Sequence, residues 1–130
     1  MQFFVPNHCP NCHSEGKKIK FENLLCNLKD ISTLNRNKTY YFCKNPACEV
    51  IYFSGLEIFT NNDLFRKTAY KSKDPDATIC YCFGYKVKDA DQKHFEEYLI
   101  KKSHFCACSI RNPSGKCCKK LFETLLELPS

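Results

Sequence analysis

Eleven of the 130 residues are cysteine, and their spacing falls into two kinds of metal-gripping device. Cys9-Pro10-Asn11-Cys12 is a C-x2-C turn, and Cys43-Lys44-Asn45-Pro46-Ala47-Cys48 is a C-x4-C turn thirty residues further on. Two thiolates on one tight turn grip an ion from one side. Two such turns close four soft ligands around Zn2+, which asks for little beyond a tetrahedron. A small β-domain gains much of its folding free energy from that closure. The expectation is a zinc-ribbon-like site with Cys9, Cys12, Cys43 and Cys48 as ligands. His8 and His13 flank the first turn, but histidines so placed are more often surface residues or supports behind the ligands.

The second device is different. Cys80-Tyr81-Cys82 is C-x-C, a spacing unusual for zinc and suited to two thiolates on one iron of a small cluster. A 2Fe–2S cluster takes four protein thiolates, so two more are needed. The stretch from Cys106 to Cys118 offers four: Cys106, Cys108, Cys117 and Cys118. Adjacent thiols chelate one ion poorly because the trans peptide between them holds them apart, so only one of Cys117 and Cys118 is expected to serve. Asn112-Pro113-Ser114-Gly115 is turn chemistry that folds the backbone back. An amphipathic helix from Lys119 to Leu128 then aims its first N–H groups at an anionic, thiolate-bound group.

Bulk properties favour metal over disulfide. A chain of this length makes one domain, or two small ones that need staples. Met1-Gln2-Phe3-Phe4-Val5-Pro6 lacks the pattern of a secretory signal, and no apolar run reaches the roughly 20 residues that span a bilayer. The expected location is therefore cytoplasmic, without membrane insertion, where disulfides rarely persist. An odd cysteine count argues the same way. Lys and Arg exceed Asp and Glu by 11 to 7 over residues 1–74 and by 9 to 7 over residues 75–130. The acids are interspersed, so this is an ordinary solvated surface more than a nucleic-acid stripe.

The positioning elements follow from pattern. Lys18-Ile19-Lys20-Phe21 alternates like an edge strand. Leu24, Leu25, Leu28, Ile31 and Leu34 recur at helical spacing, with Cys26 expected as a small buried hydrophobe on the Leu24–Leu28 face. Tyr40 to Phe42 and Val50 to Phe53 predict a hairpin around the second cysteine turn. After Ser54-Gly55, Glu57 to Phe59 returns, and an extended segment over 64–71 completes the sheet. Residues 72–78 read as a linker. A helix is expected over 87–102. The chain thus divides into a zinc-binding β subdomain (1–71), the linker, and a helical subdomain (79–130), an α+β fold.

Taken together these motifs resemble the N-terminal domain of CopZ-type copper chaperones. The resemblance rests on Cys9-Pro10-x-Cys12, Tyr41-Phe42-Cys43 and Cys48-Glu49-Val50-Ile51-Tyr52-Phe53. It continues in Cys80-Tyr81-Cys82-Phe83-Gly84, Cys106-x-Cys108 and Asn112 to Cys118, and so covers nearly the whole chain. It implies one mononuclear zinc on Cys9, Cys12, Cys43 and Cys48. It also implies one 2Fe–2S cluster in a helical half similar to bacterioferritin-associated ferredoxin (BFD-like), held by Cys80, Cys82, Cys108 and one of the vicinal pair. Cys118 is chosen because it directly precedes the apolar helix, with Cys117 as the alternative. Cys106 is then a thiol near the cluster. Two departures stand out. The span from Cys82 to Cys106 is short for the family, and a copper-carrying module with an M-x-C-x-x-C loop is not among the 130 residues, so copper delivery by that route is not expected of them.

The function implied is single-electron transfer by the cluster, reducing Cu2+ to Cu+ for a copper-binding protein or a copper-transporting ATPase, with an unidentified electron donor. Soft thiolates at Cys106 and Cys117 suit transient Cu+. The competing reading is a zinc-ribbon module that binds nucleic acid or protein without redox chemistry, carried by the basic first half and by Tyr40, Tyr41, Tyr52 and Phe53. Those aromatics sit at strand positions, which favours core. Metal storage or sensing fits the spacings less well, and neither His94 nor His104 has a companion that would make a hydrolase or transferase site.

Overall fold

The β-prone runs pair as neighbours in one antiparallel sheet. A computed structural model of the chain describes residues 7–104 and 106–127, without the side chains of Cys108, Ser109 and Glu127. Expectations for Met1 to Pro6, Phe105 and Leu128 lie outside the described residues. Strands β1 (Lys17–Lys18), β2 (Tyr41–Phe42), β3 (Val50–Ser54) and β4 (Glu57–Thr60) follow one another in the order β1-β2-β3-β4. Phe42 pairs with Tyr52 and Phe53 with Ile58. Gly55 makes the β3–β4 turn at φ 61°, a conformation that glycine adopts without steric cost.

Every residue of β3 is buried. A register irregularity between Val50 and Tyr52 lets the strand serve two cores at once, as bulges do. Ile51 and Tyr52 join the main core with Leu24, Leu28, Tyr40 and Phe42. Val50 and Phe53 pack instead against Cys9, Cys43 and Cys48. Tyr40, Tyr52 and Phe53 are thus core residues, as their strand positions suggest.

Helix α1 (Phe21–Asn27) is two turns long and buries Asn23, Leu24 and Asn27, with Leu28 just beyond. Cys26 is exposed, against expectation. The inward stripe runs 23-24-27-28, and position 26 faces the other way on a helix of 3.6 residues per turn. The expected strand over 64–71 does not form either. A single 3-10 turn at Asn61–Asp63 takes the chain off the sheet. The Phe65 N–H then goes to the Asn27 carbonyl (2.9 Å), and Leu64 and Thr68 make only isolated bridges, to Leu28 and Thr78. Backbone groups already spent on α1 and on the next loop cannot extend a sheet.

Residues 72–78 are bonded on both sides: Thr78 N–H to Lys67 O (2.7 Å), Ala69 N–H to Thr78 O (2.9 Å) and Val87 N–H to Ala77 O (2.9 Å). A 3-10 turn at Val87–Asp89 precedes helix α2 (Gln92–His104), so α2 begins later than residue 87. Asp91 sets the start: its carboxylate accepts the His94 N–H at 2.8 Å, an N-cap bond. A short turn of helix, α3 (Cys108–Arg111), and α4 (Lys119–Glu127) complete the chain. Phe122 of α4 lies among Tyr85, Phe95 and Tyr98, ring centroids 5.2–5.8 Å away, and together they form the core of this half.

Three polar pegs hold the Asn112–Gly115 turn against the β half. Buried Asn23 donates from Nδ2 to the carbonyls of Ile110 (2.8 Å) and Asn112 (3.1 Å). Buried Tyr52 donates its hydroxyl to Pro113 O at 2.7 Å. The Lys17 ammonium donates to Ser114 O at 3.1 Å. Within the turn, Asn112 Oδ1 accepts from the Ser114 N–H and hydroxyl, and Gly115 takes φ 70°.

Candidate metal centres

The first cysteine turn is built by its backbone. The Cys9 N–H reaches Ser14 O (2.9 Å), the His13 N–H returns to Cys9 O (2.8 Å), and His13 takes a positive φ of 64° to close the loop. The His8 ring lies 3.0 Å from the His13 carbonyl, where it braces the turn. Gly16 follows where nothing larger fits: a Cβ there would lie 2.5 Å from the Phe53 ring. The second turn starts as β2 ends. The Cys43 N–H bonds Ile51 O (2.9 Å), the Cys48 N–H bonds Asn45 O (3.1 Å), and the Ala47 N–H bonds the Asn45 carboxamide (3.0 Å).

These turns face each other. The Sγ atoms of Cys9, Cys12, Cys43 and Cys48 all lie within 4.8 Å of one another, with Cys9–Cys48 at 3.9 Å and Cys12–Cys43 at 3.5 Å. Four sulfurs each about 2.3 Å from a zinc ion sit roughly 3.8 Å apart at the corners of a tetrahedron. The donor set fits zinc. Three of the four thiols are buried, and neither His8 nor His13 belongs to the converging group. Burial pushes the Cys9 thiol up to about 12 and raises Cys43 as well. Burial opposes ionisation at Cys12 too, but hydrogen bonds from Ser14 and its thiol neighbours outweigh it and bring that thiol down to about 6. The Lys71 ammonium bonds Val50 O beside Cys43 and helps to offset the negative charge of a tetrathiolate. Asn11 adds a bond from Nδ2 to Cys48 Sγ at 3.2 Å.

Residues 6–65 match a family of CopZ type described as a zinc binding domain. The four converging thiols all fall inside that segment. Zinc is thus the metal that both the geometry and the family match support. The chain is also similar, at 27% identity over 125 residues and 90% of its length, to a protein named Copper chaperone CopZ from Archaeoglobus fulgidus. The chain spans 60% of the length of that relative. The X-ray structure of the N-terminal domain of Archaeoglobus fulgidus CopZ superposes with a TM-score of 0.70 at 26% identity, covering 93% of this chain and 99% of that one. The α+β fold is therefore that of the CopZ N-terminal domain.

The second group of thiols is assembled differently. Cys80 and Cys118 are both buried in the core of the helical half, and Cys82 packs on its edge. The Phe83 N–H donates to Cys80 Sγ (3.3 Å) and the Ala107 N–H to Cys82 Sγ (3.2 Å). The second of these bonds carries the Cys106–Cys108 stretch onto Cys82. Cys108 opens α3, and its side chain lies outside the described residues. Gly84, at φ 78°, shapes the tight loop after Cys82, and its N–H returns to Cys80 O at 2.8 Å.

The vicinal pair splits. Cys118 is 2% exposed and lies 3.2 Å from the buried Tyr98 hydroxyl, whereas Cys117 is exposed and receives the Lys102 ammonium. Burial raises the Cys117 thiol, but bonds from Lys102, the Lys119 N–H and Tyr98 outweigh it and hold the thiol below its usual range. Tyr98, Asn23 and Tyr52 support this region through contacts that local spacing does not reveal. Each is an aromatic or amide residue on an element whose partner lies far along the chain.

Proposed function

We propose that the chain is an iron–sulfur and zinc protein of copper handling, in which the β half is braced by zinc and the helical half holds a 2Fe–2S cluster on Cys80, Cys82, Cys108 and Cys118. The observation that carries this reading is the 3.2 Å bond from the Ala107 N–H to Cys82 Sγ. It joins the two cysteine stretches beside a core that already contains Cys80 and Cys118. These donors fit a cluster: N–H bonds to two sulfurs and a half-buried rim are features that set cluster potentials. Such a group, when bound, supplies a one-electron couple, and the copper role follows from the similarity to a copper chaperone.

The chain's own residues have distinct parts in this reading. Buried Cys80 and Cys118 anchor the group in the core, Cys82 holds it at the rim, and the N–H groups of Phe83 and Ala107 stabilise charge on the sulfurs. Exposed Cys106 and Cys117 stand outside it as soft thiols able to receive copper. Cu2+ is then the substrate, reduced to Cu+ and passed to a copper-binding protein or a copper-transporting ATPase, with electrons from a donor yet to be identified. No helix among the described residues is long and apolar enough to cross a membrane, and we place this activity in the cytoplasm.

Anaerobically purified protein is expected to be coloured, with one zinc and two irons per chain, and to give a 2Fe–2S EPR signal on reduction. In stopped flow, the dithionite-reduced protein is expected to reduce Cu2+ faster than a Cys80→Ser variant. Colourless protein carrying two zinc ions would overturn the cluster and favour a binding module without redox function. The aromatics that module would use are largely in the core.

A further inference from the structure

A groove of about 520 Å3 crosses the junction of the two halves, and among the described residues its cations have no acidic partner. Lys17 of β1, Lys44 of the second cysteine turn, Lys116 of the last loop and Lys120 of α4 all line it, and no Asp or Glu does. Lys44, Lys116 and Lys120 are exposed, and among the described residues none of the four lysines is in an ion pair. Lysines with an acid beside them lie outside the groove: Lys38 pairs with Glu57 at 2.9 Å, Lys67 with Asp74 at 3.3 Å and Lys88 with Asp76 at 3.2 Å. Four unopposed ammonium groups around one hollow make a local positive field that like charges alone would not favour. Lys17 bears the mark of it, its pKa lowered by burial and by Lys116.

The floor of the groove is apolar and rigid. Phe42 and Tyr70 lie with ring centroids 5.5 Å apart, the Tyr70 hydroxyl is fastened to Lys44 O, and Leu121 lines the groove with them. Cys117 and Cys118 of the second thiol group also line it. An inorganic anion would use the cations and waste the floor. A peptide segment with carboxylates flanking an apolar side chain uses both.

We propose that this groove is the docking surface for an acidic segment of a protein partner, which it seats across both halves and beside Cys117. As a route for electrons or copper the surface rests on the function proposed above, whereas its binding chemistry does not. The test uses the full chain as purified under anaerobic conditions and a fluorescein-labelled synthetic peptide rich in glutamate around one leucine. Fluorescence anisotropy reads binding, and NMR shift mapping reads its place. Binding is expected to weaken roughly tenfold in a Lys44→Glu/Lys120→Glu variant, and steeply as salt rises from about 0.02 to about 0.3 M. A Lys29→Glu/Lys93→Glu variant, with the same change in net charge outside the groove, is expected to bind as the parent does. Equal weakening in both variants, shifts away from Phe42, Tyr70 and Leu121, or displacement of the peptide by inorganic phosphate at matched ionic strength would overturn the proposal. Absorbance of the same samples separates the two readings. Colourless protein that binds the peptide in the groove removes the cluster and keeps the dock, and coloured protein that does not bind it there removes the dock alone.

Discussion

The two cysteine groups of this chain are held by opposite means. In the β half, two short turns each carry their pair of thiols, and strand pairing brings the turns face to face, so all four sulfurs lie within 4.8 Å of one another. In the helical half, three separate stretches contribute, Cys80 and Cys118 are fixed by side-chain packing, and Cys82 is reached through a backbone N–H. The first group is largely buried, and the second has thiols at its rim. A site that must only hold a metal is best closed by local turns. A site that must exchange something with a partner keeps an edge toward solvent, at the cost of depending on distant parts of the chain.

That contrast is most sharply broken by removing one thiol from each group. Cys43→Ser is expected to abolish zinc binding and with it the fold of the β half, since structural zinc is worth ~10 kcal/mol or more to small domains. Cys80→Ser is expected to lose iron while keeping zinc and the dispersed NMR signals of the sheet. Metal analysis with one-dimensional NMR on both variants decides the matter, and equal loss of zinc in both would erase the distinction.

Acid gives the next largest effect. Zinc binds thiolates, so it must displace protons from Cys9, whose thiol sits at about 12, and from Cys43, whose thiol is also raised. Affinity therefore rises with pH through the neutral range. Below about pH 6, Cys12 is protonated too, and the dependence becomes one proton steeper. Chelator competition between about pH 5 and pH 8 measures the slope, and a flat profile would mean that the thiols are already ionised before metal arrives.

Smaller changes probe the join between the halves. Tyr52→Phe strips the buried Pro113 carbonyl of its 2.7 Å bond and is expected to destabilise the chain by about 1–3 kcal/mol. Urea denaturation reads the loss, and iron is expected to leave before zinc. Asp91→Ala removes the α2 cap and is expected to cost about 1 kcal/mol, with zinc binding unchanged.

What could be read from the sequence follows the same division. Cys9, Cys12, Cys43 and Cys48 were legible because each pair is separated by only two or four residues and the strands beside them are strongly β-prone. For the helical half, spacing and resemblance named candidate thiols and periodicity named a helix, but the wiring was not legible. Nothing local tells that Asn23 is buried to hold the carbonyls of Ile110 and Asn112, or that Tyr98 lies beside Cys118. Cys26 misled because apolar spacing over Leu24, Leu25 and Leu28 marks a helix without fixing which side of a two-turn helix faces in. The extended segment over 64–71 misled because a strand also needs free backbone partners, and here α1 and the loop at Thr78 had taken them.

The pegs from Asn23 and Tyr52 to the 110–113 backbone have a consequence for the order in which this molecule is made. Both lie on elements of the β half, α1 and β3, while the turn they hold lies between Cys108 and Cys118. A β half that has already folded would therefore act as a mould for the later part of the chain. On the reading proposed above, protein whose β half fails to fold for want of zinc would be unable to mature its second centre, whatever the supply of iron.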